Sequence, residues 1–137
     1  MPYSSILVSL AGKAEEKKLL DEAVKLATQL NSTITFVHVN DPHAGKMNMM
    51  MDSLKKVTEA EIRVLIAKFG YVDLSKNASI LMLESEKYSK SIAQASEKFD
   101  LLMIGHHNKN SFIASLIDST DEHTSDLVDC PVLLVSL

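Results

Sequence analysis

The sequence predicts a doubly wound α/β fold, and three observations support that prediction. Five apolar segments alternate with four stretches of helical spacing along the 137 residues. Several of the apolar segments are continuous, as strands buried on both faces of a parallel sheet are. This β–α–β order implies right-handed crossovers and helices on both faces of an open sheet. The chain carries no linker, low-complexity stretch or internal repeat, so we expect one domain over residues 1–137.

The predicted strands share a high content of Ile, Val, Leu and Phe. They are Ser5–Leu10, Thr33–Val39, Ala78–Leu83, Leu101–Ile104 and Val132–Leu137. In open parallel sheets, ligands bind beyond the carboxyl ends of the strands. We therefore expect a functional site to be built from the loops 11–14, 40–46, 83–87 and 105–119.

The first two predicted helices are recognised by apolar residues at steps of three and four. The first follows Glu15 and Glu16, whose negative charges suit the positive end of a helix dipole. The second has an apolar stripe from Met47 to Phe69, and Gly70 ends it. Its Met-rich start, 47–51, fits core packing, and a soft-metal site or an adaptable interaction surface stays open as an alternative.

The last two predicted helices are shorter. The third covers about Ser89–Phe99, with Ile92 facing inward. The fourth opens at Ser119, where Ser-x-x-Glu through Glu122 indicates a capping box. Positions that would normally be apolar in this fourth helix are polar. We therefore expect this helix to pack weakly against the core, and its side of the domain is a candidate surface for a protein partner.

Charge and cysteine content narrow the function classes. The formal charge is -4, from 14 Lys and Arg against 18 Asp and Glu. This acidic balance does not favour binding to nucleic acid or to an anionic membrane. The early apolar run at 6–11 is too short for a signal peptide or a membrane span. Cys130 is the single cysteine, which excludes a disulfide within the chain and a Cys-based zinc site. We expect a cytoplasmic protein.

No catalytic arrangement is recognisable on the strand-end loops. His106 and His107 follow the fourth strand, but neighbours on an extended segment point to opposite sides and do not share one metal ion. No carboxylate pair, Ser-His-Asp set or Cys-His set falls on these loops, so we expect neither an enzyme nor a metal site. His38 lies in a buried strand, where a hydrogen bond to the backbone is its expected role.

Three blocks of sequence point to a family. Residues 6–12 read I-L-V-S-L-A-G. Residues 20–27 and 36–39 read L-D-E-A-V-K-L-A and F-V-H-V, which is similar to an A-x-x-L-A … L-x-H-V pattern. Residues 100–107 and 130–135 read D-L-L-M-I-G-H-H and C-P-V-L-L-V. With these blocks the chain resembles the universal stress protein family, most of all at its end. The resemblance implies a Rossmann-like, adenine nucleotide alpha hydrolase-like fold with strand order 3-2-1-4-5 and four helices.

The resemblance also identifies a degenerate nucleotide motif. Nucleotide-binding members carry G-x-x-G-x(9)-G-[S/T] after the fourth strand. Here Gly105 is kept, Asn108 and Asp118 replace the other two glycines, and Ser119 is followed by Thr120. A glycine loop lets backbone N–H groups approach phosphate without a Cβ in the way, so each replacement weakens that contact.

The first strand ends in Ala11 where the family usually has aspartate. The pattern is similar to the universal stress protein A subgroup, whose members are regarded as not binding ATP. We therefore expect a non-catalytic stress-response protein without a cofactor. The residues that a nucleotide or a small anion would contact are Ala11, Val39, Gly105, His106, Asn108, Ser119 and Thr120.

Two alternatives stay open. The first is a member of the same family that binds ATP or AMP with Mg²⁺, with the base near Val39, and that hydrolyses ATP weakly at most. The second is a flavodoxin-like electron carrier or small enzyme, which 5% aromatic content and no Trp disfavour because few rings are present to stack on a flavin.

The C-terminal strand predicts a homodimer. In the family's strand order it lies at the sheet edge, and an apolar edge without charged residues is a template for aggregation unless it is paired. Related stress proteins pair this strand with its twofold mate. The interface residues implied are Val132, Leu133, Leu134, Val135, Ser136 and Leu137. Other protein partners stay unidentified, and we expect none among nucleic acids or membranes.

Overall fold

The computed structural model describes residues 3–43, 55–106 and 128–137. Five strands form one parallel sheet in the order β3-β2-β1-β4-β5, which confirms the predicted architecture. Each strand lies within two residues of its predicted bounds. The strands are β1 Ser5–Ser9, β2 Thr33–Asn40, β3 Ser79–Glu84, β4 Leu101–His106 and β5 Val132–Ser136.

Four α-helices fall within the described residues. They are α1 Lys17–Leu30, α2 Glu59–Lys68, α3 Val72–Asn77 and α4 Tyr88–Ser96, and a 3₁₀ turn at Ala14–Glu16 precedes α1. The helix predicted to open at Ser119 lies outside the described residues. Of the helices that are described, none is both long enough and apolar enough to cross a membrane.

Helix α2 differs from the prediction at its start. The pattern predicted a helix from Met47 onward, but residues 55–58 are not helical. Thr58 is the N-cap instead, because its side-chain oxygen accepts a hydrogen bond from the backbone N–H of Glu61 at 3.2 Å. The prediction of a continuous helix through 55–58 was therefore wrong, while the Met-rich segment 47–51 lies outside the described residues.

Gly70 ends α2 as predicted, with a φ of +103° that favours glycine. The short helix α3 follows directly and was not predicted. It spans 6 residues, which is too few to show an apolar period.

The sheet separates two apolar clusters. On one face Ile6 packs in a cluster with Leu20 of α1 and Ile62 of α2. On the other face Leu7 packs in a cluster with Ile92 of α4. Neighbouring residues of β1 thus point to opposite helical layers, as the pleat of a strand buried on both sides requires. The carboxyl ends of the strands lie between these layers and hold the site.

Candidate functional site

A crevice of about 300 Å³ opens at the carboxyl ends of β1, β2 and β4. This is the edge of the sheet at which the sequence predicted a ligand site. Its walls combine a few polar side chains with apolar ones. The lining residues are Ser9, Ala11, Lys13, Glu15, Glu16, His38, Val39, Tyr88, Ile104, Gly105 and Leu137.

The loop after β1 is organised around the carboxylate of Glu16. One oxygen accepts the backbone N–H of Ala11 at 2.8 Å, and the other accepts those of Gly12 and Lys13 at 2.9 and 2.8 Å. Gly12 has a φ of +90°, which helps the three N–H groups converge. The N–H groups that a bound anion would seek in this loop are therefore already donated to a side chain of the same protein.

Burial sets the electrostatics of this carboxylate. Glu16 is 5% exposed, and burial raises the pKa of its carboxyl above the ordinary value of 4.5. The three backbone hydrogen bonds and the charge of His38 act in the opposite direction and lower that pKa. Because three N–H groups hold the two oxygens, the arrangement suits an anchor for the loop and does not suit a proton-transfer group.

A tyrosine forms the opposite side of the crevice. The hydroxyls of Tyr88 and Ser9 lie 3.0 Å apart and share a hydrogen bond between the start of α4 and the end of β1. Burial is the main cause that raises the pKa of the Tyr88 hydroxyl, and the charge of Glu16 adds to it, while the Ser9 bond lowers it. Tyr88 therefore stays a neutral phenol that ties the second helical layer to the crevice.

His38 lies at the back of the crevice. Its Nδ1 is 2.7 Å from the carbonyl oxygen of Leu10, which confirms the predicted bond to the backbone. Its Nε2 is 3.1 Å from Oδ1 of Asn40, a contact that the sequence did not predict. Asn40 in turn hydrogen bonds to both backbone polar groups of Val57, just before α2. One network thus joins β1, β2 and the approach to α2.

Gly105 and Leu137 form the wall on the β4 side. A Cβ added at Gly105 would lie 2.6 Å from Cδ1 of Leu137, so the leucine packs directly on the glycine backbone. The backbone N–H of Leu137 donates to the carbonyl of His106 at 3.1 Å. Leu137, which the sequence assigned to the dimer interface, therefore places its side chain in the crevice.

The residues predicted to contact a nucleotide or anion fall into two groups. Ala11, Val39 and Gly105 line the crevice together, and their contact with a nucleotide or anion stays a prediction. His106 follows Gly105 in β4, and its buried Nδ1 has no hydrogen-bond partner within the described residues. The others, Asn108, Ser119 and Thr120, lie outside the described residues, as do Asp118 and the motif that they form.

Metal-ligating side chains do not converge at the crevice in the part of the chain that the structure describes. No group of three or more His, Cys, Asp or Glu side chains there is placed to hold a metal ion. The thiol of Cys130 is half-buried, and burial, together with the charges of Asp100 and Asp129, raises its pKa, although a hydrogen bond with Ser96 lowers it. A thiol in this setting is a weak nucleophile.

Comparison with known proteins decides the family. A model of the Universal stress protein family matches residues 2–136. The chain belongs to the universal stress protein family. Among curated relatives, Universal stress protein A of Salmonella typhimurium strain LT2 is 29% identical over 118 residues, with 78% of each chain covered. Universal stress protein A of Escherichia coli strain K12 is 28% identical over 118 residues, again with 78% of each chain covered.

Solved structures agree on the fold of this universal stress protein. A family member from Burkholderia pseudomallei is 21% identical, with a TM-score of 0.59 over 97% of this chain and 96% of that one. A universal stress protein in complex with cAMP is 16% identical, with a TM-score of 0.57 over 99% of this chain and 98% of that one. At these identities the likeness shows the fold alone.

Sequence reasoning missed three residues that shape the crevice of this universal stress protein. Glu16 was read only as a charge at a helix start, although Glu at the third position of the 3₁₀ turn is a capping-box position. Lys13 at its N-cap hides that motif, which normally begins with Ser or Thr. Tyr88 and Leu137 carried no local signal, since their role depends on which elements the fold brings together.

Proposed function

We propose that this universal stress protein is a cytosolic, non-catalytic stress-response protein that acts through protein contacts as a homodimer and does not use ATP. The single observation that carries the proposal is the position of Glu16. Its buried carboxylate accepts three backbone N–H groups at the strand-end loop, where an anionic ligand would otherwise gain those bonds.

The charge of Glu16 opposes a phosphate more strongly than the loop rewards one. Two unit charges about 4 Å apart repel by about 4 kcal/mol at an effective dielectric near 20. A charge-assisted hydrogen bond contributes about 1.5–3 kcal/mol, and the loop bonds of Ala11, Gly12 and Lys13 are already made. The replacements Asn108 and Asp118, inferred from the sequence, act in the same direction.

Calorimetry with ATP and Mg²⁺ tests the proposal. We expect no binding in the low micromolar range for the wild type. Glu16→Gln removes the charge at nearly constant shape, so it should bind inorganic phosphate more tightly than the wild type, while Glu22→Gln on the exposed side of α1 should match the wild type. A wild-type dissociation constant in the low micromolar range contradicts the proposal.

A second candidate is a family member that binds ATP or AMP with Mg²⁺. The crevice favours it, since Ala11, Val39 and Gly105 meet there in a space of about 300 Å³. A related fold has been solved with cAMP, a nucleotide of the same base. Mass spectrometry of small molecules released on denaturing the purified protein separates the candidates, because a released adenine nucleotide supports the second one. The family match gives no support to an electron carrier.

The edge strand β5 supports the homodimer. It pairs with β4 on one side, and among the described residues its other side has no strand partner. Val132, Leu133 and Leu134 are 38%, 41% and 37% exposed, so apolar side chains accompany the unpaired backbone. Val135 is buried in the chain's own core, and its contribution to an interface is limited to its backbone.

Light scattering after size exclusion tests the assembly. We expect twice the chain mass of 15.1 kDa for the wild type. Leu134→Pro removes a backbone donor in the middle of β5 and should give monomer or aggregate, whereas Leu134→Thr keeps the backbone and should keep the dimer. A wild-type monomer at micromolar concentration contradicts the proposal, and a dimer that survives Leu134→Pro places the interface elsewhere.

A further inference from the structure

The imidazole of His38 lies between two hydrogen-bond acceptors. The residue is 6% exposed, so its ring is largely shielded from solvent. Nδ1 is 2.7 Å from the carbonyl oxygen of Leu10. A carbonyl oxygen has no hydrogen to give, and Nδ1 must therefore be the donor in this contact.

The second contact of His38 is equally determined, because the backbone of Val57 fixes the orientation of the Asn40 amide. Nδ2 of Asn40 donates to the Val57 carbonyl at 2.8 Å, and Oδ1 accepts the Val57 N–H at 3.0 Å. Turning the amide over would place two donors together and two acceptors together. Oδ1 therefore faces His38 at 3.1 Å, and Nε2 must also donate.

A ring that donates from both nitrogens carries a positive charge. We propose that His38 is held as an imidazolium and that it acts as a proton-dependent lock between the crevice and the start of helix α2. Val57 directly precedes Thr58, the N-cap of α2, so the lock holds the backbone immediately before that helix. Loss of one proton turns a lone pair toward Leu10 or Asn40, and the contact becomes repulsive.

The charges around His38 agree with this arrangement. From the 3₁₀ turn, Glu16 is the one buried carboxylate among the described residues, and Glu15 and Lys13 also line the crevice. From α4, the ionisable group that lines the crevice is the neutral phenol Tyr88, while Lys90 of the same helix is not among the lining residues. From the approach to α2, Lys55 and Glu61 pair with each other at 3.4 Å. The strand partner in β3 is Met82, which has no charge.

Nitrogen NMR of the histidine rings tests the charge. At pH 7 we expect both ring nitrogens of His38 to carry a proton. Single substitutions at each of the other four histidines assign the His38 signals by elimination, so the test does not need a His38 variant that folds. A neutral His38 ring in the wild type at pH 7 overturns the proposal.

Two substitutions at Asn40 separate a lock from a merely structural contact. In Asn40→Ala the second acceptor is gone, so His38 should become a neutral ring that donates to Leu10 alone. In Asn40→Asp the acceptor stays and gains charge, so the ring should remain protonated to a higher pH than in the wild type. Rings that titrate identically in both variants and in the wild type overturn the proposal.

Hydrogen exchange at the Val57 amide tests the coupling to α2. Its protection, relative to the amide of Leu102, which donates to Pro131 outside this network, should fall about tenfold when His38 loses its proton. His43→Gln is the matched control, since His43 is exposed and bonds to Glu86 outside this network, and its profile should follow the wild type. A constant Val57 protection across the titration of the ring overturns the lock.

Discussion

The two ends of strand β1 are each held by one carboxylate, and water reaches the two to different extents. Beyond the carboxyl end, Glu16 accepts three backbone N–H groups and is buried. At the amino end, one oxygen of Asp100 accepts the backbone N–H groups of Ser4 and Ser5 at 2.8 and 3.1 Å and both serine hydroxyls. The hydrogen-bonding task is nearly the same at the two ends.

The two carboxyl groups nevertheless have pKa values that move in opposite directions. The hydroxyl of Ser4 and the other bonds lower the pKa of Asp100, which water still reaches. Burial raises the pKa of Glu16 in spite of three backbone donors. Desolvation thus outweighs the hydrogen bonds at one end and not at the other, and the buried end is where function is expected.

The largest expected effect comes from removing the buried carboxylate. Glu16→Ala leaves three N–H groups without an acceptor, and we expect the free energy of unfolding to fall by about 2–4 kcal/mol. Urea denaturation measures this loss. Glu22→Ala, one turn and a half further along on the exposed side, should leave stability nearly unchanged. Equal losses in the two variants would show that the loop does not depend on Glu16.

The next largest effect is expected at Gly12, which lies in the loop that Glu16 holds beyond the carboxyl end of β1. Gly12 has a φ of +90°, and an added Cβ would meet Val57 at an ordinary 3.5 Å. The expected cost of Gly12→Ala is therefore backbone strain alone, about 1–2 kcal/mol in thermal or urea unfolding.

Gly70→Ala is a matched control for Gly12→Ala, since Gly70 has a φ of +103° and no atom within 4 Å of the added Cβ. The two variants should lose similar amounts of stability. A much larger loss at Gly12 would show that the Glu16 loop, and not local strain, is sensitive to the substitution.

The exposed end should tolerate substitution better. Asp100→Ala removes the acceptor of Ser4 and Ser5, but water can replace it there, so we expect a smaller loss of stability than in either Glu16→Ala or Gly12→Ala. Urea denaturation at pH 7 gives the ranking. A loss at Asp100 that exceeds the loss at Glu16 would reverse the comparison between the two ends.

The pH dependence should show the two groups with opposite signs. The raised pKa of Glu16 means that the folded state takes up its proton first, so this group stabilises below its ordinary value of 4.5 and loses that contribution as the pH rises through its folded pKa. The lowered pKa of Asp100 gives a contribution that is present above 3.8 and is lost as the pH falls through its folded pKa.

Urea denaturation of the wild type, Glu16→Gln and Asp100→Asn between pH 3 and pH 7 separates these contributions. As the pH falls toward 4.5, the wild type should gain stability relative to Glu16→Gln. Below 3.8 it should lose its advantage over Asp100→Asn. Parallel profiles for all three proteins would show that neither carboxyl group is perturbed.

The sheet could be predicted because its signal is local and redundant. Each strand is a run of apolar residues between polar loops, and the resemblance supplied the strand order. The helices were predicted less well where a single capping side chain determines the first residue of the helix. Thr58 begins α2 well after the start of its apolar stripe, and α3 is too short for any periodicity.

The site was predicted by location and only partly by residue. Ala11, Val39 and Gly105 follow from the strand ends and the family motif. Glu16 occupies a capping-box position that Lys13 at the N-cap conceals, and the contact between His38 and Asn40 has no signal in the sequence. The opposite pKa directions of Glu16 and Asp100 depend on burial, which only the packed structure supplies.

Glu16 can be regarded as a ligand that the chain carries on a tether. Its carboxylate lies three to five residues from the N–H groups that it binds. A tether this short gives an effective concentration in the millimolar range or above, which a freely diffusing anion must exceed in order to compete. The three loop N–H groups are thus bound by the chain's own carboxylate, and a dissolved anion would have to displace that carboxylate in order to bind them.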